Sequence, residues 1–70
     1  DHTEAMREAA LLIGHKRLAE KFRHVAALID LDGQLSEELS KYRKTLYNSL
    51  MIVAKRKLSA EDFAQLHKAF

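Results

Sequence analysis

The segment Leu35–Leu58, LSEELSKYRKTLYNSLMIVAKRKL, decides the fold because it carries the strongest helical pattern of the chain. On a helix that turns by about 100° per residue, one stripe of its apolar side chains has alternating spacings of about three and four positions. Such a stripe is typical of a helix that packs along its length against another helix. The stripe consists of Leu35, Leu39, Tyr42, Leu46, Leu50 and Val53.

A second, shorter apolar row lies about a third of a turn from that stripe and contains Tyr47, Met51, Ala54 and Leu58. Ile52 belongs to neither row, so the helix is apolar nearly all the way round near this residue. A helix that is apolar on every side must be covered on every side. We therefore expect a third helix or a second subunit, in addition to the helix that packs on the main stripe.

The first part of the chain, residues 3–30, has a helical pattern in which only Gly14 is unfavourable. Either the chain breaks at Gly14 and a short first helix folds back, since Gly suits a helix C-cap, or one long helix contacts different partners at its two ends. We favour the continuous helix, because residues 15–17 offer no Ser, Thr, Asp or Asn to cap a new one. From Leu11 onward, one stripe consists of Leu11, His15, Leu18, Phe22, Val25 and Ile29. The other apolar residues before Gly14 point to roughly the opposite side: Ala5, Met6, Ala9, Leu12 and Ile13.

Two further signals complete the predicted architecture. Asp32-Gly33 indicates a turn, and Ser36 followed by Glu37 starts a helix well, so residues of about 3–30 and 36–57 should form an antiparallel helical hairpin. Ser59 and Asp62 resemble a capping box and predict a short third helix over residues of about 60–69. The predicted fold is all-α, a three-helix unit whose bundle is completed by dimerisation.

Length and composition limit the remaining possibilities. At 70 residues, positions 1–70 form a single helical domain, and the absence of Cys excludes disulfides and thiolate metal sites. No apolar run reaches the length of a membrane span, and we expect a cytoplasmic protein. The first residue is Asp rather than Met, so we expect a piece of a longer protein.

The sequence contains no pattern of a catalytic, metal or cofactor site. The four histidines, His2, His15, His24 and His67, lack the spacing of four positions that places two metal ligands on one helix face. Gly14 and Gly33 stand alone, so no glycine-rich loop could hold a phosphate or a dinucleotide. We expect no enzymatic activity, no metal and no cofactor.

The surplus of apolar helix surface indicates a protein–protein interaction or oligomerisation module, as found in regulatory proteins. Such a module would bury its apolar faces against a second subunit, as a homodimer, or against another helical protein. The residues predicted to bind the partner are Met6, Ala9, Ile13, Tyr47, Met51, Ile52, Leu58, Phe63, Leu66 and Phe70.

The alternative prediction is a nucleic-acid-binding helical domain, because the chain carries no Asp or Glu between Leu39 and Leu58. Cations along one helix could contact phosphates, although a solvated face with cations near the helix C-terminus would have the same composition. We expect no membrane binding, since the basic stripe does not flank a bulky apolar face. The candidate nucleic-acid-binding residues are Lys41, Arg43, Lys44, Asn48, Lys55, Arg56 and Lys57.

Overall fold

A computed structural model describes residues 2–70, apart from the side chain of Asp32, and contains four α-helices. No strand occurs within these residues, so the predicted all-α class is confirmed. The third and fourth helices match the predictions for residues 36–57 and 60–69 to within one residue. The helices are α1 (His2–Leu12), α2 (Lys16–Asp32), α3 (Glu37–Lys57) and α4 (Ala60–Ala69).

The preference for one continuous helix over residues 3–30 is wrong, because the chain breaks at Gly14. Gly14 has a φ of 79°, in the left-handed region that favours glycine. Its N–H donates to the carbonyl of Leu11 at 3.0 Å, and the N–H of His15 donates to the carbonyl of Ala10 at 2.9 Å. These two bonds form a Schellman motif, which ends α1 and lets the chain turn into α2.

His15 caps α2, although none of the usual capping residue types is present at this helix start. Its side-chain Nδ1 accepts a hydrogen bond from the N–H of Leu18 at 3.2 Å. An imidazole nitrogen thereby fills the role that Ser, Thr, Asp or Asn usually has at a helix start. The predicted place of His15 in the apolar stripe is therefore wrong, since its half-buried side chain caps α2, and Leu11, its predicted neighbour in the stripe, is 47% exposed.

The remaining helix ends agree with the sequence. Gly33 has a φ of 75° and donates its N–H to the carbonyl of Ile29 at 2.8 Å, which ends α2. The hydroxyl of Ser36 accepts from the N–H of Leu39 at 3.1 Å, and that of Ser59 accepts from the N–H of Asp62 at 3.2 Å. The predicted caps of α3 and α4 are thus confirmed.

The core is built by the first three helices and partly covered by the fourth. Phe22, Val25 and Leu50 have no exposed surface at all. Residues of α4 reach the core only with half-buried side chains, so this helix closes one side of it. The buried apolar residues are Met6, Ala9, Ala10, Ile13, Leu18, Ala19, Phe22, Val25, Leu46, Leu50 and Ala54.

Two cations of α3 hold α1 alongside it. Arg43 Nη1 donates to the hydroxyl of the buried Thr3 at 3.0 Å, near the start of α1. Lys57 Nζ donates to the carbonyl of Ile13 at 3.2 Å, just beyond the end of α1. Because the early residue of α1 meets the early residue of α3 and the late one meets the late one, the two helices run in the same direction.

The position of α1 shifts the buried stripe of α3 away from the predicted one. Ala54, assigned to the second row, is fully buried, whereas Tyr42, assigned to the main stripe, is 42% exposed. At the other edge, the rings of Tyr47 and Phe70 meet edge to face with centroids 5.6 Å apart. This contact places the end of α4 against the middle of α3, so α4 runs back along α3.

Candidate protein-interaction site

An apolar groove of about 420 Å³ lies between α1 and α4. Ala9 and Ile13 are buried at its floor, while Leu12 stands at its edge with 86% of its surface exposed. Single apolar residues on a protein surface are common, whereas an apolar concavity with an exposed leucine at its edge indicates a binding site. The groove is lined by Ala9, Leu12, Ile13, Leu58, Asp62, Gln65 and Leu66.

The groove follows from the two features that place α1 and α4. The left-handed Gly14 ends α1 and, with the bond from Lys57 to the Ile13 carbonyl, holds its last turn beside the end of α3. Leu58 has an extended backbone and Ser59 caps the next helix, so the chain reverses there into α4. The last turn of α1 and the first turns of α4 thus come together on either side of Leu58.

Carboxylates lie on both sides of Leu12. Asp62 lines the groove itself, and Glu8 lines a neighbouring hollow of about 360 Å³ together with Leu11 and Leu12. Leu11 is 47% exposed, so the apolar surface continues past the groove onto the outside of α1. The site therefore combines an apolar surface with two nearby carboxylates, while the ammonium of Lys57 is held on the carbonyl of Ile13.

A second exposed surface, the outer face of α3, has the opposite character. On a helical projection five residues fall within about 80° of one another, on the side away from the core. Ile52 lies among them with 56% of its surface exposed, and Arg56 is adjacent. Within this face, as far as the structure describes it, only Lys41 has a carboxylate nearby, since its Nζ is 3.9 Å from Glu37. The outer face consists of Lys41, Lys44, Asn48, Ile52 and Lys55.

No protein-family model matches this chain, and neither curated proteins nor solved structures give a significant match. Over residues 2–70, no helix is long and apolar enough to cross a membrane. The same stretch contains no group of three His, Asp or Glu side chains placed to hold a metal ion. The function must therefore be argued from the two surfaces themselves.

The residues predicted to bind a partner separate into three groups. Met6, Ala9 and Ile13 are buried in the core of the chain itself, although Ala9 and Ile13 still form the floor of the groove. Ile52 is exposed on the outer face of α3. The others are half-buried: Tyr47, Met51, Leu58, Phe63, Leu66 and Phe70. Of these, Leu58 and Leu66 line the groove.

The residues predicted to bind nucleic acid are not equivalent either. Arg43 and Lys57 point toward α1 and form the two hydrogen bonds that hold it. Lys57 is nonetheless exposed, as are the remaining residues: Lys41, Lys44, Asn48, Lys55 and Arg56. A solvent-facing cationic surface therefore remains, but it is smaller than the sequence suggests.

The exposure of Leu11 and Leu12 is missed by sequence reasoning, which places both on apolar faces. A signal is present, because successive residues of a helix point about 100° apart. A run of three apolar residues, Leu11 to Ile13, cannot all face one core, so at least one must be exposed. In the structure Ile13 is buried and both leucines are exposed.

Proposed function

We propose that this chain is a non-enzymatic protein-interaction module that binds an apolar helix face in the groove between α1 and α4. The observation that carries the proposal is Leu12, exposed at the edge of a concave floor formed by Ala9 and Ile13. Burying a leucine of this kind is worth about 1.5–3 kcal/mol. A partner that covers Leu12 and Leu11 together would gain a substantial part of its binding energy from these two side chains.

The partner that best fits a groove between two helices, α1 and α4, is a third helix. Amphipathic helices bind in grooves through residues spaced by about three or four positions, and their ridges pack between those of the neighbouring helices. In this proposal the α2–α3 pair is an antiparallel hairpin that serves as the scaffold. The bound helix completes the bundle. The sequence predicts this role for a second subunit, because the chain has more apolar helix surface than it can cover itself.

A peptide probe tests the proposal directly. The probe is an amphipathic peptide of about 18 residues, with Ile and Leu at positions i, i+3, i+4 and i+7 and Lys at the exposed positions. A second peptide has Glu in place of each Lys. Because Glu8 and Asp62 are near Leu12, we expect the lysine peptide to bind more tightly, and NMR shift changes to centre on Ala9, Leu58 and Leu66.

Two matched variants decide where the peptide binds. Leu12→Gln removes the exposed apolar side chain of the groove, and Leu31→Gln removes one that is 82% exposed at the C-terminal end of α2. We expect Leu12→Gln to weaken binding at least tenfold and Leu31→Gln to leave it unchanged, as measured by fluorescence anisotropy. Equal effects of the two substitutions, or shift changes scattered over the chain, would contradict the proposal.

Nucleic-acid binding by the outer face of α3 is the second candidate, because this face carries exposed cations and no carboxylate between Leu39 and Leu58. Against it, Arg43 and Lys57 are engaged by α1, and Ile52 interrupts the cations. Lys41 and Lys55 are about 21 Å apart along the helix. Phosphate contacts by this face would therefore be few and widely spaced.

The salt dependence of binding tests the nucleic-acid candidate. With four exposed cations, Lys41, Lys44, Lys55 and Arg56, the logarithm of affinity for duplex DNA should fall with the logarithm of salt concentration at a slope no steeper than about −3.6. Replacing Lys41, Lys44 and Lys55 with Glu should abolish binding to a labelled duplex or RNA. Binding that survives the triple substitution, or none at low salt, would exclude this candidate.

A further inference from the structure

We infer that the helix bound in the groove is α3 of a second copy of this chain, which inserts Ile52 between α1 and α4 of its neighbour. This inference rests on the proposed function, because it identifies the partner of the same groove. The two surfaces differ in shape and in charge: one is an apolar concavity with Glu8 and Asp62 near its edge, and the other is an exposed isoleucine with Lys55 and Arg56 on the next turn of its helix. The concavity can therefore accept the isoleucine, and the carboxylates can pair with the cations.

Ile52 has the geometry of an inserting side chain. It lies on the outer face of α3, with Asn48 four positions before it and Lys55 three positions after it, so polar residues border it along the helix. More than half of its surface is exposed, at 56%. The groove, at about 420 Å³, exceeds the cavity of about 150 Å³ that suffices for a benzene molecule. It therefore has room for Ile52 and for part of the helix that carries it.

Charge decides which surfaces can meet. A groove facing a second groove would bring Glu8 and Asp62 of both copies together, and an outer face against a second outer face would bring the lysines together. Like charges placed opposite each other oppose association. Only the pairing of groove with outer face sets Lys44 or Lys55 near Glu8 or Asp62.

The contact can form only between copies. Ile52 points away from the core, whereas α1 and α4 both pack on the core side of α3 through Thr3–Arg43 and Tyr47–Phe70. Because the two surfaces are different, the interface is head-to-tail, and each added copy presents a free groove or a free Ile52. Such interfaces form closed rings or growing chains rather than simple dimers.

Sedimentation velocity and light scattering test the inference on the whole chain. We expect the average mass to rise with concentration past that of a dimer, and to fall when salt is added, since salt screens the lysine–carboxylate attraction. Both Leu12→Gln and Ile52→Gln should raise the concentration needed for association at least tenfold. Leu31→Gln, at an equally exposed leucine away from the groove, should leave it unchanged.

Mixing the two impaired variants gives the decisive result. The Ile52→Gln chain keeps its groove and the Leu12→Gln chain keeps its isoleucine, so one interface can form between them and no other. We expect a 1:1 dimer that does not grow further, from two chains that are each monomeric. Both substituted positions are exposed, and circular dichroism checks that each variant is folded.

The outcomes separate this inference from the proposed function. If the wild-type chain stays monomeric, or Leu12→Gln impairs association while Ile52→Gln does not, or the mixture forms no dimer, the inference is wrong. The lysine peptide can still bind the groove in each of those cases, and the proposed function then stands with a different partner. If the peptide also fails to bind, both are wrong.

Discussion

Replacing Gly14 with Ala distinguishes the broken helix from a continuous one by the sign of its effect on stability. In the structure Gly14 has a φ of 79°, a conformation that costs an L-residue about 1–2 kcal/mol. A Cβ atom at this position would meet no heavy atom within 4 Å, so no steric term is added. We expect Gly14→Ala to lower the free energy of unfolding by about 1–2 kcal/mol.

A continuous helix over residues 3–30 makes the opposite prediction. Glycine inside a helix is less favourable than alanine by about 0.5–1 kcal/mol, so Gly14→Ala would then stabilise the chain. Urea unfolding followed by circular dichroism measures the difference in the free energy of unfolding. An unchanged m-value shows that the variant and the wild-type chain expose the same amount of surface on unfolding. The measurement is made at the lowest usable concentration, to keep self-association from adding to stability.

Two controls set the scale of this measurement. Gly33 has a φ of 75° and open space where the methyl group of an alanine would stand, so Gly33→Ala should destabilise the chain by a similar amount. D-alanine at position 14, introduced by chemical synthesis, favours positive φ and should stabilise it by about 0.4–1 kcal/mol through the unfolded state. If Gly14→Ala stabilises while Gly33→Ala destabilises, the break between α1 and α2 does not exist.

Three further outcomes follow from single side chains. His15→Ala removes the acceptor for the Leu18 N–H and should cost about 1 kcal/mol in urea unfolding, whereas His15→Asn should retain most of the cap. Phe22→Ala empties a site with no exposed surface and should cost about 3–5 kcal/mol. The hydrogen bond from Arg7 lowers the pKa of the Glu4 carboxyl. This pair therefore stabilises α1 at neutral pH, and the stabilisation is lost as acid protonates Glu4. Replacing Arg7 with Gln should raise the pKa of Glu4 in an NMR titration.

Much of the fold could be predicted from local chemistry alone. Ser36 and Ser59 start helices because their hydroxyls accept from backbone N–H groups within the same turn, and Gly33 ends one because it adopts a positive φ without strain. These effects involve neighbours in sequence, so the sequence contains all the information. The same is true of Leu46 and Leu50, whose burial follows from the apolar period of α3.

Local sequence patterns do not predict the break at Gly14 or the groove. His15 is a rare cap, and its imidazole succeeds because the Schellman motif before it already turns the chain toward α2. Whether Leu12 faces the core depends on where α1 ends and on the hydrogen bond from Lys57 to the carbonyl of Ile13, just beyond that end. That contact joins residues 44 positions apart, a separation that no pattern within one helix can reveal.

The six cations of α3 fall on two sides of a helical projection, and only those on one side bond to the region of α1. Arg43 lies four positions after Leu39 and three before Leu46, within the apolar side of the helix, and Lys57 follows Ala54 by three positions. A long cation on an apolar side is expected to extend past it to a polar partner, and both do so on α1. Of the six cations between Leu39 and Leu58, these two are thus removed from the outer face. Of the four that remain, Lys55 and Arg56 lie within one turn of Ile52, whereas Lys44 and Lys41 lie about 12 and 17 Å before it along the helix. They form no continuous track for a row of phosphates, and the two cations beside Ile52 are better suited to the carboxylates near the groove.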